Sequence, residues 1–170
     1  YVRYIDWLIT TPLILILLSS TGAIPSDATC FMVLIDIAMI FCGFVGSANT
    51  NGARWAFFAF GLIAMLSIFG VLAQSWNNWW KLIGGAHPGA KSYSAALTIM
   101  MVSWSLYAVM WILTDGSHAI CRDVEAILYL GLDIVSKVIF LLVLNSWMPT
   151  GFNPIGGHPT PLMDTGSSLI

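Results

Sequence analysis

An all-α bundle of membrane-spanning helices is the fold this sequence predicts, on two observations. Five stretches of mostly apolar residues are separated by polar breaks, and charged residues make up only 8% of the 170. A helix needs about 20 apolar residues to cross a hydrocarbon core of about 30 Å. Apolar types supply 58% of the chain and its mean hydropathy is +0.86, beyond the range of an ordinary soluble domain. Lipid offers the backbone no hydrogen bonds, so each stretch is read as a helix and not as an open strand. Six Lys and Arg stand against eight Asp and Glu, and this net charge of -2 leaves no basic surface for a nucleic acid.

The spans are read at 1–20, 28–48, 53–75, 93–114 and 124–147. The first residues already carry Arg3 and Asp6 and run into apolar sequence, so no cleavable signal peptide is expected there. Thr21 and Gly22 end the first helix, and after Pro25 and Ser26 the carboxylate of Asp27 is expected to cap the second. The short turn Asn49, Thr50, Asn51, Gly52 makes its two helices antiparallel neighbours. The break at 76–92 is read as the longest loop, with Trp76, Trp79 and Trp80 as an interfacial belt. It holds Lys81 and Lys91 and no acid, whereas the break at 115–123 sets Arg122 against two acids. The lysine-bearing side is therefore expected to be cytoplasmic, and the C-terminus with it. Residues 1–148 form the bundle on this reading, and the Gly- and Pro-rich 149–170 a flexible tail or linker.

Cys30, Cys42 and Cys121 lack metal-ligand spacing and are expected to pack as small apolar residues. His87, His118 and His158 are too scattered to imply a metal site.

Ionisable residues within spans are expensive, so each is a functional candidate. They are Arg3, Asp6, Asp36, Asp133 and Lys137. Asp133 and Lys137, four apart, share one helix face. Lys137 sits among Leu132, Ile134, Val135, Val138, Ile139 and Phe140, where holding an ammonium charge is costly. A neutral amine is a nucleophile towards an aldehyde, and nearby carboxylates would keep the resulting imine protonated. A plain ion pair joining helices is the alternative. In the first span Arg3, Asp6, Thr10 and Leu17 follow at intervals of three, four and seven along one stripe. Arg3 is expected to hold Asp6 ionised, and Thr10 and Thr11 to satisfy backbone groups near Pro12.

The segment Arg3-Tyr4-Ile5-Asp6-Trp7-Leu8, with Thr10-Thr11-Pro12-Leu13, resembles the third helix of microbial (type 1) rhodopsins, the bacteriorhodopsin-like family. Leu132-Asp133-Ile134-Val135-Ser136-Lys137 resembles its seventh helix, Trp104-Ser105-Leu106-Tyr107 with Trp111 its sixth, and Asp36-Ile37-Ala38-Met39-Ile40 with Gly43 its fourth. The resemblance implies a seven-transmembrane-helix rhodopsin bundle of which about five helices are present, so that two and part of a third would precede Tyr1. It implies all-trans retinal bound covalently to Lys137 as a Schiff base, and no enzymatic activity. Asp6 would be primary counterion and proton acceptor, Asp133 the second counterion, Arg3 the gate below them, and Thr10 an aid to proton transfer. Thr11, Trp7, Trp104, Tyr107 and Trp111 would line the polyene, with Met39, Gly43, Phe58, Gly61 and Met65 at the ring end; ordinary core packing is the plainer account of these side chains. Asp115 and Glu125 resemble an outer proton-release pair, on a loop one residue shorter.

Two departures bear on activity. Leu17 stands where outward pumps carry a carboxylic proton donor, and Ala108 where the sixth helix has proline. Light-driven proton transport and a slow sensory photoreceptor or light-gated channel therefore both remain open, and a non-retinal transporter is the most distant alternative. The expected partners are membrane lipid and retinal, with a second copy of the chain or a downstream signalling domain as further candidates.

Overall fold

In the computed structural model, residues 2–83 and 88–146 are described, with backbone alone for 78, 79, 82, 83 and 88–90. The expectation for 149–170 falls outside them. Helices α1 (Val2–Thr21), α2 (Ser26–Ala48), α3 (Ala53–Ile83) and α4 (Pro88–Trp111) are followed by a π-helical turn at Ile112–Gly116. Helix α5 (Arg122–Asp133) passes through a second π turn, Ile134–Ile139, into α6 (Phe140–Asn145). Among the described residues, five segments are long and apolar enough to cross a membrane: Val2–Thr21, Ser26–Ala48, Ala53–Asn77, Lys91–Gly116 and Arg122–Asn145.

Pro12 removes one amide from α1, and the hydroxyls of Thr10 and Thr11 donate to the nearby carbonyls of Asp6 and Trp7 at 2.9 and 2.8 Å. After α1 the left-handed residue is Ala23 (φ 51°) and not Gly22. Gly22 is required for a different reason: a Cβ there would lie 2.2 Å from the Tyr93 hydroxyl. Asp27 does not cap α2. That helix begins two residues earlier, with Pro25 at its N-cap, the Thr29 amide bonded to the Pro25 carbonyl, and no side-chain cap bond. Asp27 lies in the first turn, where its charge suits the helix dipole. The α2–α3 turn is tight, and Asn51 Oδ1 accepts from the Ala53 amide at 3.1 Å.

The long loop expected at 76–92 is mostly helix. α3 runs on through Ile83 and α4 starts at Pro88. Polar residues end a membrane span without ending a helix, and 31 residues at 1.5 Å each reach about 46 Å, well past the hydrocarbon core. Trp76 and Trp80 sit together at that end, their ring centroids 5.0 Å apart; the side chain of Trp79 lies outside the described residues.

Packing divides the bundle into two halves. Towards the lysine-bearing end, Leu15, Leu18, Met32, Ile68, Leu72, Met100, Phe140 and Leu144 are almost wholly buried and form one apolar cluster. Towards the opposite end the interior holds Arg3, Asp115, Glu125 and Tyr129. Large apolar side chains such as Ile9, Leu34, Phe60 and Leu142 are exposed, as lipid-facing residues would be. The cysteines are not core residues: Cys30 and Cys121 are exposed and Cys42 half-buried, and an apolar thiol suits a lipid-facing position as well as a core.

Candidate functional site

Lys137 projects from the π turn of the last span. Its Nζ forms an ion pair with Asp6 Oδ2 on α1 and a second, at 2.9 Å, with Asp133 Oδ1 on its own helix. Sequence spacing placed Asp133 one turn away; the approach of α1 brings Asp6, 131 positions distant, to the same nitrogen. The two carboxylates differ in surroundings. Tyr107 Oη donates to Asp133 Oδ1 at 2.6 Å and lies 3.0 Å from Ser136 Oγ, so Asp133 is held by a side-chain network. Asp6, by contrast, has its side chain 46% exposed.

A cavity of about 110 Å³ has Lys137 on its wall. Every residue that the resemblance assigned to the polyene lies on its wall: Trp7, Thr11, Met39, Gly43, Phe58, Gly61, Met65, Trp104, Tyr107 and Trp111. Tyr4, Ile14, Ile40, Leu62, Ala108 and Ser136 line it too, without having been assigned to it. Tyr4 and Ile14 extend the α1 motif by a turn at each side, a helical spacing that could have revealed them. The aromatic rings brace one another. Trp7 meets Tyr107 edge-on at 5.0 Å, Phe58 stacks on Trp111 at 4.8 Å, and Trp111 Nε1 donates to the Gly43 carbonyl at 3.3 Å. A Cβ at Gly43 would approach Tyr4 Cε1 to 3.3 Å, so glycine keeps that wall thin. Trp7 Nε1 is buried without a hydrogen-bond partner among the described residues. An apolar, aromatic-walled cavity with one amine on its wall fits a conjugated aldehyde such as retinal.

Beside the cavity, Thr11 Oγ1 lies 2.6 Å from Asp36 Oδ2. Asp36 is fully buried, and its Oδ1 has no partner among the described residues. This contact ties α1 to α2.

Arg3 does not hold Asp6. Its guanidinium forms ion pairs with Asp115 Oδ2 at 2.7 Å and with Glu125, and lies over the Tyr129 ring at 4.3 Å. Two carboxylates and an aromatic face offer more than one carboxylate already engaged by Lys137. Nor does the Thr10 hydroxyl reach the Asp6 carboxylate; it donates to that residue's own carbonyl, because a threonine on a helix meets the carbonyl one turn back. Asp115 and Glu125 do come together, with Arg3 between them, and Tyr4 Oη lies 3.4 Å from Asp115. Arg54, to which no part was assigned from sequence, fastens this end by donating to the carbonyls of Asp115 and Gly116 at 3.2 and 3.0 Å.

Residues 1–150 match the family described as bacteriorhodopsin-like protein. The opsin-like protein carO of Fusarium fujikuroi is 34% identical over 143 residues, 82% of this chain and 45% of that protein. Archaerhodopsin-3 of Halorubrum sodomense is 31% identical over 146 residues, 85% of this chain and 56% of that protein. The chain thus spans about half the length of these relatives. Among solved structures, the light-driven proton pump rhodopsin CsR of Coccomyxa subellipsoidea superposes with a TM-score of 0.79 at 33% identity, over 87% of this chain and 65% of that one. The light-driven proton pump LR (Mac) of Leptosphaeria maculans gives 0.80 at 26% identity, over 86% and 60%. With the motif residues converging on Lys137 and the family matched along nearly its whole length, this chain belongs to the bacteriorhodopsin-like family of type 1 rhodopsins.

Proposed function

We propose that this chain belongs to a retinal-binding, light-driven proton transporter of the membrane, in which the nitrogen of Lys137 gives its proton to Asp6. The observation that carries this reading is the position of one amine between two carboxylates on the wall of an aromatic cavity. The two structures titled as light-driven proton pumps support it by likeness. All-trans retinal, when bound covalently to Lys137, supplies absorption of visible light and a change of shape at that nitrogen.

The chain's own residues do the rest. Asp6 and Asp133 stabilise a positive charge on the Lys137 nitrogen by opposite charge at close range. Tyr107, itself bonded to Ser136, holds Asp133 in place, which leaves Asp6 as the acceptor. Trp7, Trp104, Tyr107 and Trp111 line the cavity with apolar rings and restrict motion within it. A proton leaving Asp6 outward meets Arg3 between Asp115 and Glu125, a cluster able to store or release it. The inward half is closed by Leu18, Leu72, Met100, Phe140 and Leu144, with Leu17 packed against them, so the proton returns to Lys137 slowly. The protein converts no substrate. It crosses the bilayer several times, with its lysine-bearing end and C-terminus in the cytoplasm.

That same apolar half favours a second reading, a photoreceptor or light-gated channel whose long-lived deprotonated state signals to a partner or a downstream domain. A light-induced pH change in vesicles holding the complete protein separates the two. Net transport predicts a change that a protonophore abolishes; signalling predicts a deprotonated state lasting seconds with no net change.

A further inference from the structure

A groove of about 800 Å³ opens between α3 and α4 near the lysine-bearing end, well away from the retinal cavity. One wall is Trp76, Asn77 and Trp80 of α3; the other is Lys91, Ser94, Ala95, Thr98 and Ile99 of α4. On α4 these residues recur every three or four positions, which makes a single stripe running from an ammonium, through a hydroxyl and a small residue, to an apolar side chain. Such a stripe grades from polar to apolar along the membrane normal, as a phospholipid does.

Lys91 is exposed and has no ion pair among the described residues. The sequence holds no Asp or Glu between Asp36 and Asp115, so neither α3 nor α4 has a carboxylate to offer it before the π turn. The aromatic wall is braced from behind. Trp76 lies 5.0 Å from Trp80 and stacks on Tyr93 at 5.7 Å, while Tyr93 Oη donates to the Leu18 carbonyl of α1 at 3.2 Å. The groove is therefore formed without help from a ligand. Lys91 begins the span Lys91–Gly116 and Trp80 lies just beyond the end of the span Ala53–Asn77, which puts both at the depth of lipid headgroups.

We propose that this groove binds one anionic phospholipid of the cytoplasmic leaflet, its phosphate on Lys91 and Ser94, its glycerol region against Trp80, and an acyl chain along Ala95 and Ile99. Charge selects the class: a free ammonium among aromatic side chains at an interface attracts an anionic headgroup, and the leaflet marked by Lys81 and Lys91 is the one that carries such lipids. The site goes beyond the proposed proton transport and depends only on the chain's orientation in the membrane.

Native mass spectrometry of the complete protein, offered equal amounts of phosphatidylglycerol and phosphatidylcholine, tests it. The wild type is expected to retain one phosphatidylglycerol in preference. Lys91→Gln should reduce that preference about fivefold, the worth of one lysine at an anionic surface. Lys81→Gln, outside the groove, should leave it within twofold, and Ala95→Phe should lower retention of both lipids by filling the groove. Equal retention of the two lipids by the wild type overturns the proposal. So does an equal effect of the two lysine variants, which would mean a diffuse surface charge, and so does a lipid-free dimer, which would mean that a second copy covers the groove.

Discussion

The contact between Thr11 and Asp36 gives the sharpest prediction about what holds the cavity wall. Thr11 is 8% exposed and Asp36 0%, so no water replaces the hydroxyl if it is removed. Asp36 Oδ1 already lacks a partner, and Thr11→Val deprives Oδ2 of its partner as well. Leaving a buried polar group unsatisfied costs about 1–3 kcal/mol, and a carboxyl with neither oxygen satisfied belongs at the upper end, about 2–3 kcal/mol. Replacing both partners by apolar groups of similar shape is close to neutral. Thr11→Val combined with Asp36→Leu should therefore be more stable than Thr11→Val alone, with a coupling of about 2 kcal/mol. Chemical unfolding of the complete protein in mixed micelles, followed by circular dichroism, measures each corner of the cycle. A Thr11→Val variant within about 0.5 kcal/mol of wild type, or a double variant whose losses simply add, would refute the reasoning.

Other perturbations reach other parts of the molecule. Arg3→Gln leaves Asp115 and Glu125, 17% and 21% exposed, facing each other without their cation. It should lower stability by about 2 kcal/mol in the same unfolding assay, and Glu125→Gln in the same chain should recover part of the loss. Gly22→Ala sets a methyl group 2.2 Å from the Tyr93 hydroxyl and should cost about 1–3 kcal/mol, with Tyr93→Phe giving partial relief. Leu17→Asp introduces an acid into the dry inward half and should speed reprotonation at Lys137 about a hundredfold in flash spectroscopy. An unchanged decay would mean that proton entry is not limited at that position.

The spans and the pairing of Asp133 with Lys137 were legible because both follow from local spacing, whereas the residues of the cavity wall were legible only through the resemblance to the family's helices. Twenty apolar residues between polar breaks define a span, and Asp133 and Lys137 share a face through their separation of four. Spacing says which side chains leave a helix on one side, but not where a long side chain ends. Arg3 and Asp6 share a stripe, yet the guanidinium turns to Asp115 and Glu125, partners more than a hundred positions away. Likewise nothing in the separation of Thr11 and Asp36 announces their contact, which exists only because α1 and α2 pack side by side. The helix ends at 76–92 were misplaced for a different reason. Hydropathy reports where the bilayer stops, and α3 continues beyond it. Arg54 passed unnoticed because its bonds are to backbone carbonyls, which leave no mark in side-chain patterns.

On the proposed function, one amine, that of Lys137, carries the chromophore. Borohydride reduction of the complete protein under illumination, after incubation with all-trans retinal, fixes the linkage so that it can be located by peptide mass spectrometry. The prediction is a single retinyl adduct on the peptide that contains Lys137, with loss of visible absorption in step with its formation. An adduct on Lys81 or Lys91 instead, or a coloured protein that yields no adduct at Lys137, would contradict it.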